Sequence, residues 1–126
     1  MSDSELRITV DGETLGASWL DKNSETREAI RDALPLEGRA TRWGDELYFD
    51  TPVDVPTENA QEEVPVGGVA YWSQGNAVCL FWGSTPASEG DEPRAASPVN
   101  LFAEMENVEP LERLDGGGAD VRIEDT

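Results

Sequence analysis

Aromatic side chains that could line a pocket are concentrated in one apolar run of the sequence. The run from Val66 to Gly83 reads VGGVAYWSQGNAVCLFWG and contains Trp72, Phe81 and Trp82. Trp43 precedes it in a separate short motif. Consecutive strand residues point to opposite faces, so only one of Phe81 and Trp82 can face the interior of a folded sheet. The other is then available to line a groove.

Amide and guanidinium groups near this run could fix the orientation of a ligand. Gln74 and Asn76 lie at a predicted turn, where turn formation explains them as well as ligand contact does. Asn100 could contact a ligand or bond the backbone of a neighbouring loop. Arg42 is a candidate catalytic cation. Arg94 could anchor a carboxylate or form an ion pair with Asp91 or Glu92.

Several chemistries are excluded by the residue types present. The sequence has no histidine, so it has neither a serine triad nor a Cys/His metal cluster. The glycines at 116–118 are not followed by the Lys-Ser/Thr of a phosphate loop. We therefore expect no cofactor and no metal. Neighbouring acids such as Asp45 with Glu46, or Glu62 with Glu63, are interpreted as solvated surface, and Cys79 as a small buried hydrophobe.

The charge of the chain restricts its partners. Among 126 residues, 27 are acidic and 9 are basic, which gives a formal net charge of -18. A polyanion repels phosphates and anionic lipid, so we expect neither nucleic acid nor a membrane as partner. Lys22 is the single lysine, and the other basic residues are arginine. This composition indicates a folded, halophilic protein from a high-salt cytoplasm, where like charges are strongly screened. No signal peptide or membrane span is predicted.

Short alternating strands dominate the first half of the chain. Leu6, Ile8 and Val10 alternate with polar residues, and a strand over 14–18 follows the Asp-Gly turn. A helix is predicted at about 24–34, capped by Asn23 or Ser24. Strands are predicted at 37–43 and 46–50, followed by a proline-containing loop over 51–63 that could include a short edge strand.

The second half continues this pattern with the hairpin 69–73 and 77–82. A long loop over 84–98 is followed by a strand over 99–108, in which Val99, Leu101, Ala103 and Met105 alternate and are predicted to share one face. A short helical turn is predicted near 110–114, and a last strand that includes Val121 and Ile123 could pair with the first strand. About eight strands with one helix predict a single mainly β domain over 1–126, an antiparallel barrel or sandwich.

Three segments together carry a family resemblance. They are TRWGDELYFDTPV at 41–53, VGGVAYWSQGNAVCLFWGSTP at 66–86 and ASPVNLFAEM at 96–105. With the helix after the second strand, the chain resembles the small prokaryotic cyclophilin-like domains. The resemblance implies a closed antiparallel eight-stranded barrel with one capping helix. It implies no settled activity, because one fold can carry many functions.

The resemblance raises two hypotheses about function. Eukaryotic-type cyclophilins, which share the fold, are peptidyl-prolyl isomerases that use an arginine, a glutamine, a histidine and several aromatic residues. The histidine is missing here, and Arg42 would be the catalytic arginine. The favoured hypothesis is a module that binds a peptide or small molecule in a groove beside the 66–83 hairpin. The alternative is a weak peptidyl-prolyl isomerase that uses the same groove. Nothing in the sequence indicates the oligomeric state.

Overall fold

Nine strands and two helices make up the part of the chain that the computed structural model describes, residues 4–126. The elements are β1 Leu6–Val10, β2 Glu13–Trp19, α1 Ser24–Ala33, β3 Leu36–Arg42, β4 Glu46–Asp50, β5 Gln61–Glu63, β6 Gly68–Trp72, β7 Ala77–Phe81, β8 Arg94–Met105, α2 Glu109–Glu112 and β9 Gly118–Asp125.

Eight of these strands form a closed antiparallel ring, as predicted. Their order is β2-β1-β9-β3-β4-β7-β6-β8, and β8 returns to β2 with Met105 opposite Ala17. The first and last strands pair as expected, with Leu6 opposite Asp125. β5 lies outside the ring against the first half of β8. Closure leaves the ring strands without a free edge, because each is paired on both sides.

Alternating apolar residues from the ring fill its interior. Leu6, Ile8 and Val10 of β1 are buried there, together with Leu47 and Phe49 of β4. The alternation follows from the strand geometry, which sends every second side chain to the same face. In β7 this rule places Val78 and Leu80 inside, and Trp82 joins them just after the strand ends. Trp82 is therefore the interior member of the Phe81–Trp82 pair.

A second apolar cluster lies on the outer face of β6, β7 and the start of β8. We call it the outer core; it consists of Val64, Ala70, Cys79, Phe81, Ala95, Val99 and Leu101. The expectation that Val99, Leu101, Ala103 and Met105 share a face is wrong, because Ala103 and Met105 belong to the interior core. The pairing of β6 with β8 is irregular between Val69 and Ala70, whose partners are Ala103 and Leu101. This β-bulge leaves Phe102 as an extra residue without a partner in β6. As a result, the side chains after the bulge point to the opposite face of the sheet from those before it.

The long loop is shorter than the sequence indicates. β8 begins at Arg94 rather than Val99 and ends at Met105 rather than Val108. Pro98 is accommodated within β8. Arg94 faces Glu63 in the short strand β5, so β5 supplies the pairing that keeps this first part of β8 extended. The first part of β8 therefore lies over the outer face of the ring as an ordered strand.

The helix α1 packs against the interior core through the buried residue Ile30. Asn23 is its N-cap residue, but its side chain makes no capping bond. The Glu58 carboxylate caps the helix instead, because it accepts the backbone N–H groups of Glu25 and Thr26 at 3.2 and 3.0 Å. Within the described residues, neither helix is long and apolar enough to cross a membrane.

Candidate functional site

A cleft of about 170 Å³ opens on the outer face of the ring, beside the 66–83 hairpin. It lies between the outer face of β4, β7 and β6 on one side and the start of β8 on the other. Its lining residues are Trp43, Glu46, Tyr48, Trp72, Cys79, Ala95, Ala96, Ser97 and Val99. Aromatic rings and small apolar groups thus surround a single carboxyl group.

Strand alternation and register bring the lining residues together. In β4, Leu47 and Phe49 point into the ring, so Glu46 and Tyr48 must point outward. Tyr48 lies opposite Cys79 in the pairing of β4 with β7, which places both on the wall of the cleft. Each of these positions therefore follows from the packing of the ring interior.

The two sides of the cleft are joined by a hydrogen bond. The Trp72 indole Nε1 of β6 donates to the Ser97 hydroxyl of β8 at 2.7 Å. On the β8 side the lining side chains are small, because Ala95, Ala96 and Ser97 follow one another. Small residues there leave room next to the large rings of Trp72 and Tyr48. The cavity exists because the β8 wall does not fill it.

Glu46 is the unusual group of the cleft. Its side chain is buried, with 5% of the residue exposed. Burial raises the pKa of Glu46 from 4.5 to about 7, because desolvation penalises the charged form, while a hydrogen bond with Cys79 lowers it. The expectation that Glu46 is part of the solvated surface is therefore wrong. The carboxyl group is poised to gain or lose a proton near neutral pH.

Cys79 remains a protonated thiol beside this carboxyl group. Burial, and then the negative charge of Glu46, raise the pKa of Cys79 well above its ordinary value. A thiol with a raised pKa is a poor nucleophile, because the reactive form is the thiolate. Cys79 is a free buried cysteine, as expected, and its S–H can donate to the Glu46 carboxylate.

Two of the predicted ligand-binding residues, Trp43 and Trp72, line the cleft. Phe81 lies beneath it in the outer core, and Trp82 lies inside the ring. Gln74 is exposed at the hairpin turn. Asn76 adopts a left-handed φ of 49° in that turn, and its amide nitrogen donates to the Tyr71 hydroxyl at 2.9 Å.

Arg42 is held by structural contacts outside the cleft lining. Its guanidinium donates to the carbonyl oxygens of Gly44 and Leu114 at 2.8 and 2.9 Å, and to the Asp45 carboxylate at 3.0 Å. The same group lies 5.4 Å from the ring centroid of Trp82, within the range of a cation–π contact. These contacts join the β3–β4 turn to the segment after α2.

Arg94 and Asn100 also have protein partners. Arg94 pairs with four carboxylates, the nearest being Glu92 at 3.0 Å; the others are Glu62, Glu63 and Glu89. The buried Asn100 amide accepts from the Glu58 N–H at 2.9 Å and donates to the Thr26 hydroxyl and the Pro56 carbonyl oxygen. Arg94 fastens a surface loop, and Asn100 links β8 to the start of α1.

Glu46, Tyr48 and Ser97 are the site residues that sequence reasoning missed. The signal for Glu46 and Tyr48 was present in ELYFD at 46–50, where they alternate with the inward Leu47 and Phe49. The sequence does not indicate that another segment covers the outer face of β4. The cover comes from the start of β8, in a segment that reads as a loop.

Comparisons with known proteins place the chain in a family. The family model described as cyclophilin-like matches residues 4–124. A solved structure of the hypothetical protein AF2241 from Archaeoglobus fulgidus is similar at 38% identity, with a TM-score of 0.78 and all of both chains covered. The chain therefore belongs to the cyclophilin-like family.

A more distant structural relative shows how the fold recurs. The structure of McbB in complex with tryptophan matches at 14% identity and a TM-score of 0.69, over 97% of this chain and 45% of that chain. A likeness at this identity concerns the fold alone. None of the curated proteins compared with the chain matches it.

Proposed function

We propose that this domain is a binding module whose cleft beside the 66–83 hairpin holds a small molecule or one side chain of a peptide. The observation that carries the proposal is the composition of the cleft: aromatic and apolar walls around one buried carboxyl group. Ligand sites in proteins typically combine apolar walls with a few fixed polar groups. The walls would supply affinity, and Glu46 would orient the ligand.

The presence of a buried acid in the cleft supports a binding role over simple packing. Burying an ionisable group costs free energy, and an apolar residue at position 46 would avoid that cost. The pKa of Glu46, raised to about 7 by desolvation, reflects that penalty. A ligand that donates to the carboxyl group would offset it.

Weak peptidyl-prolyl isomerisation is the alternative, and it has less support. It requires a fixed cation or donor near the twisted amide. Of the described residues that line the cleft, none is arginine or lysine. Arg42 makes three hydrogen bonds to the protein, so its guanidinium would have to leave them to reach a peptide.

A fragment screen by NMR tests the binding module. The Trp72 indole N–H is the reporter, because it lies on the cleft and donates to Ser97. We expect small aromatic and amine fragments to shift this resonance in the wild type. Ser97→Phe should abolish the shifts, since the Ser97 side chain faces Trp72 and a large ring there would fill the cleft.

The matched control is Thr14→Phe, which adds the same ring at an exposed strand position outside the cleft lining. Fragments that shift the reporter equally in both variants would contradict the proposed site. A protease-free prolyl isomerisation assay in concentrated KCl distinguishes the isomerase from the binding module. Catalysis that Arg42→Ala abolishes, while a circular dichroism spectrum stays native, would favour the isomerase.

A further inference from the structure

The charged groups of the cleft determine which sign of charge its ligand should carry. Glu46 is the sole acidic residue among the described lining residues, and no basic lining residue opposes it. When Glu46 is ionised, its charge is buried beside a thiol that can give only one weak hydrogen bond. A buried carboxylate is stabilised by a cation or by several donors. The cleft therefore supplies no positive partner for the ionised Glu46, and a cationic ligand could supply one.

The aromatic lining favours a cation with a large, weakly hydrated surface. Trp43, Tyr48 and Trp72 all contribute to the cleft, and all three are half-buried. The face of an aromatic ring carries partial negative charge and attracts ammonium groups, tryptophan most strongly. Quaternary ammonium groups are commonly recognised in proteins by several aromatic rings around one site.

The size of the cleft restricts the group that it can hold. A protein cavity of about 150 Å³ accepts a molecule the size of benzene. At about 170 Å³ the cleft can enclose a trimethylammonium group but not a large ring system.

On the basis of the proposed binding function, we propose that the ligand is a substituted ammonium group, seated against Trp43, Tyr48 and Trp72 and paired with the Glu46 carboxylate. It could be a free small molecule or the methylated side chain of a peptide. The shared chemistry is a compact organic cation. Its charge replaces the missing partner of Glu46, and its methyl groups contact the rings.

Proton loss from Glu46 would couple this binding to pH. Cys79 of β7 faces Glu46 and stays protonated, and Tyr48 is the other titratable lining residue on β4. The neighbouring Asp45 is paired with Arg42, and β6 and β8 contribute no acidic or basic lining residue. A cation binds the ionised form of Glu46, so affinity should rise with pH through the pKa of about 7.

Choline and 3,3-dimethylbutan-1-ol provide a direct test, because they have the same shape and differ in charge. Titrations followed by NMR at the Trp72 indole N–H, in constant KCl that keeps the protein folded, should show binding of choline and not of the alcohol. Affinity for choline should be about tenfold higher at roughly pH 8.5 than at pH 6. Glu46→Gln should weaken choline binding at least tenfold at the higher pH and remove the pH dependence.

Asp50→Asn is the matched control, since it removes one exposed acid from the same strand and should leave choline binding unchanged. If Glu46→Gln fails to fold, Tyr48→Leu tests the aromatic contribution and should also weaken binding. Equal binding of the two probes, or choline binding that survives Glu46→Gln, overturns the proposal. If neither probe binds, the cation proposal fails, while fragment hits blocked by Ser97→Phe would still support the cleft as a binding site. A trimethyllysine peptide and free choline, compared directly, distinguish the two sources of the cation.

Discussion

Glu46 carries a proton at neutral pH more often than an exposed glutamate does, and this affects stability. Desolvation raises its folded-state pKa to about 7, whereas the unfolded chain has the ordinary value of 4.5. Between pH 4.5 and about 7, the folded protein binds more protons than the unfolded chain does. The free energy of unfolding therefore falls as pH rises through this range, and the contribution of Glu46 to stability is lost. Each pKa unit corresponds to about 1.4 kcal/mol, so the loss is on the order of 3 kcal/mol.

We expect Glu46→Gln to be more stable than the wild type at about pH 8 and to lose this advantage by about pH 4.5. Glutamine keeps the size of the side chain and cannot ionise. The free energy of unfolding, measured by denaturant titration at several pH values in constant KCl, checks this. Asp50→Asn provides the baseline for an exposed acid. Wild-type and Glu46→Gln curves that run parallel across this range would show that the carboxyl group is not desolvated.

Arg42 contributes to stability through contacts that join two parts of the chain. Removing its guanidinium leaves the carbonyl oxygen of Leu114 without this partner and removes the contact over Trp82. We expect Arg42→Ala to lower the free energy of unfolding by about 1–3 kcal/mol, measured by chemical denaturation. Binding in the cleft should persist, because Arg42 is not one of its lining residues.

Arg39→Ala is the appropriate comparison for Arg42→Ala. Arg39 forms an exposed ion pair with Asp120 at 3.4 Å, with 67% and 79% of the side chains accessible. Exposed pairs of this kind contribute little, so the change should stay within about 0.5 kcal/mol. Equal losses for the two variants would mean that the hydrogen bonds of Arg42 add nothing beyond surface charge.

At the scale of elements, strand patterns predicted most of the ring. The strands β1 and β4 match their predicted bounds, because alternation is clear in both segments. The cleft could be predicted only in part. Trp43 and Trp72 were found because tryptophan is distinctive, whereas Glu46 is one of 27 acidic residues and looks like the others. Its burial depends on which segment covers it, and that is a long-range property.

The bulge in β8 shows why the rest was not predictable. Val99, Leu101, Ala103 and Met105 alternate in sequence, yet the first two face the outer core and the last two the ring interior. The extra residue Phe102 reverses the faces, and only the irregular pairing with β6 reveals it. One strand thus serves two cores, which lets its first half form the wall of the cleft.

The link between β8 and α1 gives a test at this scale. Asn100 is buried and bonds Thr26, Pro56 and the backbone of Glu58. Asn100→Ala removes three hydrogen bonds and leaves the Glu58 N–H and the Pro56 carbonyl oxygen without this partner, so we expect a loss of about 1–3 kcal/mol in the free energy of unfolding. Asn100→Ala should increase the rate of amide hydrogen exchange more in α1 than in β4. Gln74→Ala, at an exposed turn position, should have little effect. A uniform rise in exchange across the domain would contradict a local link.

At the scale of the whole molecule, the net charge of -18 implies a dependence on salt. Like charges repel in the compact state, and the Debye length falls to about 3 Å near 1 M salt. We expect the thermal midpoint of unfolding to fall when molar KCl is removed, as measured by circular dichroism. NaCl of equal ionic strength should restore it if screening is the cause. A midpoint independent of KCl would contradict both the repulsion argument and our proposal of a high-salt cytoplasm.

The pairing of β1 with β9 makes the domain suitable for circular permutation. Leu6 lies opposite Asp125, and the Thr126 hydroxyl donates to the Ser4 carbonyl oxygen at 3.0 Å. A short peptide from Thr126 to Ser4 would join β9 and β1 into a hairpin, and the turn at Gly116 and Gly117 has open space on its surface where the chain could be cut. The resulting circular permutant would begin with β9 and keep every strand pairing of the ring.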